Sequence, residues 1–165
     1  MTSRPAAWLN SWTNRWGRLR SLTPRQRQLF LRSLVLLPIS ALLLRRQGLR
    51  WLQQRALSRR PVASADLDRR EEVELAREAA EAVNLAARRG VWKANCLQRS
   101  VVLWRELVRL GVESDLRIGV RGAQPDPEMH AWIELGDHVV NDHPEIASQF
   151  RPFTKPVLPS RARFD

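Results

Sequence analysis

Apolar residues recur along the chain first at helical and then at strand spacing. Trp8, Trp12 and Trp16 are four apart, so on a helix their indoles share one face, with Gly17 weakening its end. Thr23-Pro24 supplies a cap and a first helical position for the next segment. Its apolar part, Leu29 to Leu44, is 16 residues long and is broken by Arg32 and Pro38. A spanning helix needs about 20 apolar residues. The segment therefore reads as helix packed on the domain or on a partner, ahead of membrane-surface contact, with a transmembrane span the poorest fit. No small-residue cleavage site follows in "RRQGLRWLQQR", which argues against a secretory signal.

Arg59-Arg60-Pro61 marks a boundary, and a long helix begins from Ser64 or Asp66, with Asp66, Asp68, Glu71 and Glu72 near its positive end. Leu67, Val73, Ala76, Ala80, Val83 and Ala87 form its narrow apolar stripe, closed by Arg88, Arg89 and Gly90. A face of alanines predicts close packing against a neighbour. In "VWKANCLQRSVVLWRELVRLG", Leu97, Val101, Trp104 and Val108 share a helical face that Leu103, Leu107 and Leu110 widen. Asn95 is the N-cap, Cys96 falls in the first turn, and Gly111 is the stop.

After Gly111 the period becomes two. "DLRIGVR" alternates Leu116, Ile118 and Val120; "MHAWIEL" alternates Met129, Ala131, Ile133 and Leu135; "HVVND" is a short third strand. The Pro-rich end has Phe150 and Phe153 as anchors and a frayed terminus. The prediction is an α+β fold in which a helix carrying Cys at its N-terminus packs on a small antiparallel sheet, preceded by N-terminal helices. Residues 1–60 form a basic, Trp/Leu-rich helical arm, and residues 61–165 form the chemical domain.

Charge sharpens that division. Residues 1–60 hold thirteen Arg and no Asp, Glu or Lys, whereas residues 61–165 hold fifteen Lys plus Arg against seventeen acids. The two parts carry +13 and −2, giving the overall +11. The excess charge belongs to the arm and bears on what the arm touches: an acidic partner or an anionic membrane surface. Nucleic acid is not expected, because the arginines interleave with an apolar segment that needs burial. The single cysteine, Cys96, rules out an intramolecular disulfide and fits a reducing, cytoplasmic setting.

Cys96, His130 and Asp142 are the candidate catalytic residues. In the first turn of a helix, unpaired N–H groups and the helix dipole favour an anion, and the thiolate is the nucleophilic form of cysteine. A histidine beside it completes activation, and a carboxylate on the other imidazole nitrogen sets orientation and tautomer. His130, Trp132 and Glu134 share one face of their strand, opposite Met129, Ala131, Ile133 and Leu135. With a two-residue turn, Gly136-Asp137, Asp142 falls on the apolar face, away from His130. With a three-residue turn, Leu135-Gly136-Asp137, Glu134 faces His138 and His130 lies opposite Asp142. Catalysis thus requires an odd turn or a bulge. The bland alternatives are a small buried Cys96, a satisfied strand histidine and a turn-capping Asp142. His138 and His143 lack compact ligand spacing with Cys96 or Asp142, so neither a metal nor another cofactor is expected.

The helix start Cys96, Leu97, Arg99, Ser100, the strand Leu116 to Val120, the set His130, Ala131, Trp132, Glu134, and the pair Asn141, Asp142 together resemble the lasso-peptide B-protein leader peptidases in their stand-alone form. These belong among the transglutaminase-like cysteine peptidases, and the likeness covers roughly residues 65–153. It departs at Met129 and Ile133, where Ala and Val are common in that family, and the Trp-rich arm has no counterpart there. The resemblance implies a papain/transglutaminase-like fold, with Cys96 as nucleophile, His130 as base and Asp142 as orienting residue. It also implies removal of a leader from a ribosomally made precursor peptide, delivery by a separate small leader-binding protein, and closure by an ATP-dependent lasso cyclase. The Cys96 N–H would be one oxyanion donor; Trp92, Asn95 and Gln98 are candidates for the second. Trp132 either shields the Cys–His pair, lines the substrate groove or simply packs. The alternatives are acyl transfer to an amine and a catalytically inactive peptide-binding subunit.

Overall fold

The computed structural model describes residues 22–58, 67–123, 125–153 and 156–159. The Trp8–Trp16 arm, the start proposed at Ser64 or Asp66, and the terminus after residue 159 lie outside them. Three helices, α1 (Pro24–Leu57), α2 (Arg69–Arg89) and α3 (Cys96–Leu110), precede the strands β1 (Asp115–Arg121), β2 (Glu128–Leu135) and β3 (His138–Val139). A short helix α4 (Ile146–Gln149) and strands β4 (Arg151–Pro152) and β5 (Leu158–Pro159) follow. The fold is α+β, of papain-like type, with the helices packed on a small curled antiparallel sheet. Its order is β3-β2-β1-β4, and β5 shares the β1 edge with β4.

Each long helix starts on a reciprocal cap. Thr23 pairs with Gln26, Asp68 with Glu71 and Asn95 with Gln98, so each side chain meets the other residue's backbone N–H. The Asn95 cap and Cys96 as first helical residue agree with the sequence pattern, as does Gly111, which ends α3 at φ 78°. The segment at Leu29–Leu44 differs. Neither Arg32 nor Pro38 breaks α1; its one non-helical residue is Gly48, at φ 76°. Burial of Leu29, Phe30, Leu37 and Ala41 against the domain holds the helix together through Pro38. Arg32 is accommodated by a partner: its Nε and Nη2 each lie 3.1 Å from a carboxylate oxygen of the fully buried Glu106 on α3, and Arg109 Nε adds a contact at 3.0 Å.

One core joins α1, α2 and α3 to the sheet. Val101, Val102, Leu103, Trp104 and Leu107 of α3 are enclosed by Leu37, the Ala76–Ala86 face of α2, and Leu116, Ile133 and Leu135. The alanine stripe lets α2 approach closely, as expected. Strand β2 is apolar on both sides, which alternation did not predict. Trp132 is fully buried in a second cluster with Ile146 and Phe150, while Met129, at the end of the strand, is 58 % exposed. Phe150 anchors the C-terminal segment. Phe153 does not; its side chain is exposed, and its N–H donates to the Ile118 carbonyl at 3.0 Å.

Gly119 makes this second cluster possible. It pairs with His130 across β1 and β2, and a Cβ there would lie 2.8 Å from the Trp132 ring, 2.9 Å from Phe150 Cβ and 3.0 Å from the Arg151 carbonyl. Gly119→Ala is therefore expected to lower stability by roughly 1–3 kcal/mol through overpacking, measured by denaturant unfolding.

Candidate active site

Glu134 pairs with Val139 and Leu135 with His138, so the β2–β3 turn is Gly136-Asp137, with Gly136 at φ 57°. The odd turn, with Glu134 facing His138, is not the one formed. Continued as a regular ladder, this register would turn Asp142 away from His130. The ladder does not continue. Val140 N–H still donates to the Ile133 carbonyl at 3.1 Å, but Ile133 N–H donates to Asn141 Oδ1 at 2.8 Å. In a hydrogen-bonded antiparallel pair that N–H would go to the Val140 carbonyl. The Asn141 amide thus replaces main chain, and the chain leaves the sheet one residue before Asp142. The irregular exit does what a bulge would have done.

Asp142 Oδ2 then lies 2.8 Å from His130 Nε2, with the two side chains 21 % and 18 % exposed. The second oxygen, Oδ1, accepts from His143 N–H at 2.9 Å. Opposite a carboxylate, an acceptor, Nε2 takes the donor role in this bond and leaves Nδ1 as the other ring nitrogen. Two aromatic rings pack near the imidazole, Phe150 at 5.2 Å and Trp132 at 6.4 Å between centroids. Trp132 Nε1–H donates to Glu134 Oε1 at 2.8 Å, and Arg117 Nε–H donates to Glu134 Oε2, also at 2.8 Å. Because Trp132 is fully buried, its place is behind the imidazole and it lines no open groove.

Helix α3 reaches the same strand through its edge. Backbone groups of alternate strand residues point the same way, so Ala131 presents its carbonyl, like that of Ile133, to the side where β3 has ended. Ser100 Oγ–H donates to that carbonyl at 3.0 Å and accepts from Asn141 Nδ2 at 3.0 Å. Ser100 is fully buried and lies one helical turn after Cys96, on the same face of α3. The bond from Ser100 ties α3, whose first residue is the partly exposed Cys96, to the strand that carries His130. Arg99 Nη1 on Asn84 Oδ1 (3.4 Å) and Asn84 Nδ2 on the Asn141 carbonyl (3.5 Å) buttress the exit from α2.

The oxyanion candidates separate. Trp92 Nε1–H donates to Gln98 Oε1 at 3.1 Å. Gln98 Oε1 also accepts from Asn95 N–H at 3.3 Å, so the amide NH2 of Gln98 is the end left to donate. Asn95 Oδ1 is held by Gln98 N–H at 2.9 Å. Among the described residues no three His, Cys, Asp or Glu side chains converge as a metal site. The sequence points to Cys96, His130 and Asp142 as a set and assigns no role to Ser100, Asn141, Asn84 or Gly119. Ser100 and Asn141 stand in the motif without a role, because the bond between them crosses 41 residues of chain.

Neither the curated proteins nor the solved structures contain a significant match to the chain. The family model described as "Transglutaminase-like superfamily" matches residues 34–155, well over half of the 165 residues, and its span takes in α1 from Leu34 onward as well as Cys96, His130 and Asp142. The chain belongs to the transglutaminase-like superfamily, which includes cysteine peptidases and acyl transferases.

Proposed function

We propose that the protein is a cysteine peptidase that removes the leader from a ribosomally made lasso-peptide precursor, with Cys96 as nucleophile, His130 as base and Asp142 as orienting residue. The observation that carries this reading is the 2.8 Å bond from His130 Nε2 to Asp142, made where Ser100 ties the Cys96 helix to the same strand. The superfamily and the set of residues resembling the leader peptidases, Cys96-Leu97-x-Arg99-Ser100 through Asn141-Asp142, support it.

The chemistry follows from these roles. The Cys96 proton passes to His130 Nδ1, and the thiolate attacks the carbonyl at the leader–core junction. The Cys96 backbone N–H and the Gln98 amide stabilise the tetrahedral oxyanion. Collapse breaks the C–N bond as His130 delivers its proton to the departing amine, which frees the N-terminus of the core. His130 Nδ1 then takes a proton from water, the hydroxide attacks the thioester, and the leader carboxylate leaves as Cys96 recovers its proton. In this scheme a small leader-binding protein delivers the precursor in the cytoplasm, and an ATP-dependent cyclase receives the freed amine. Acyl transfer uses the same thioester with an amine in place of water.

Incubation with a synthetic precursor, followed by mass spectrometry, tests the reading. Hydrolysis adds one water across two fragments, transfer joins chains, and an inert peptide-binding subunit does neither. Cys96→Ala is expected to abolish cleavage while precursor binding persists, and Asp142→Asn to lower kcat by about two orders of magnitude or more. Cleavage surviving in Cys96→Ala would refute the assignment.

Asn141→Ala strips the Ile133 N–H and Ser100 of a partner at once. Stability should fall by roughly 2 kcal/mol, and kcat should fall toward that of Asp142→Asn, because the carboxylate loses its guide. Denaturant unfolding and single-turnover kinetics on the same variant measure both effects.

A further inference from the structure

The outer side of α1 is apolar where a domain helix should be polar. Leu31, Val35, Ile39 and Leu42, spaced four, four and three apart, form one stripe and are 43–61 % exposed, with Trp51 beyond them at 37 %. The helix contains an 18-residue window apolar enough to cross a bilayer, yet only 28 % of that window is buried in the domain. A core helix would hide most of such a segment. The opposite side, including Leu29, Ser33, Leu37 and Ala41, is packed into the fold, and Arg32 is tied to Glu106. The helix is thus held flat along the surface of the domain and presents a stripe, the geometry of an element lying in a membrane interface and not across it.

Charge adds a second, independent observation. Helix α1 carries seven Arg and no Asp, Glu or Lys. Arg25 and Arg27 precede the stripe, and the exposed Arg45, Arg46, Arg50 and Arg55 follow it. Beside it opens a cleft of about 350 Å³ whose lining combines Ile39 and Trp51 with Arg32, Arg55, Arg105 and Arg109. Its one acid, Glu106, already has both oxygens occupied by Arg32 and Arg109. The lining is thus net positive, four arginines against one carboxylate, and lies next to aliphatic side chains, which suits a phosphate that carries acyl chains.

We propose that the outer face of α1 and this cleft dock the protein on an anionic bilayer, with the stripe entering the boundary between headgroups and acyl chains and the arginines taking lipid phosphate. A protein partner is the less favoured occupant, because the stripe is purely aliphatic and the charge on α1 is of one sign. The test is cosedimentation of the full-length protein with phosphatidylglycerol/phosphatidylcholine vesicles and with phosphatidylcholine vesicles alone. Binding should be roughly tenfold or more stronger to the anionic vesicles and should weaken with salt. The Leu31→Ser/Val35→Ser double variant, whose fold is checked by circular dichroism, should bind them roughly tenfold or more weakly. Equal partition into both vesicle types, or a double variant that binds like the parent, overturns the proposal. Both altered residues lie outside the candidate active site, so precursor cleavage in solution should be unchanged, and docking and catalysis can fail separately.

Discussion

The N–H of Ile133 can be satisfied by the carbonyl of the next strand or by the side chain of Asn141, and the geometry of the site depends on which. A main-chain partner would extend β3 and carry Asp142 out of reach of the imidazole. The amide of Asn141 accepts that N–H and donates to Ser100, so one side chain both ends the strand and fastens it to the helix that bears the thiol. Because β3 stops at Val139, the carbonyl of Ala131 is open to Ser100. A truncated edge strand thus becomes the seam between helix and sheet.

That seam needs a rigid backing, which the three helices supply. The hydrophobic side of α3 is enclosed by α1 and α2, and the buried Glu106 carboxylate is accepted only because two guanidinium groups surround it. Such a pair specifies how α1 lies on α3 more than it adds stability. On the far side of the sheet, Gly119 allows Trp132 and Phe150 to close on His130, and the indole N–H is satisfied by Glu134. The imidazole is therefore fixed by a carboxylate at one nitrogen and by two aromatic neighbours.

What was legible in the sequence was local. The Asn95 cap, Cys96 at the first helical position, the Gly111 stop and the two main strands follow from residues a few positions apart. Long-range partners were not visible from spacing. Arg32 looks like a helix breaker until Glu106, 74 residues away, is known to face it. Pro38 is a poor helix residue in isolation but is carried by burial on one side of α1. Trp132 and His130 share a strand face, yet only the return of α4 and Phe150 decides that Trp132 is sealed. Alternation demands an odd turn or a bulge before Asp142; the irregularity is instead a side chain that takes the place of main chain. A side chain substituting for backbone leaves no signature in alternation.

Long-range ¹⁵N–¹H correlation spectra of the histidines in the Cys96→Ala protein, recorded at a pH where the imidazole is neutral, test the central claim most directly, since without the thiol Asp142 is the ring's remaining partner. The account predicts that the His130 proton resides on Nε2, held by Asp142, and that it moves or exchanges freely when Asp142 is replaced by Asn. A proton on Nδ1, or a His130 spectrum indifferent to that replacement, would contradict it.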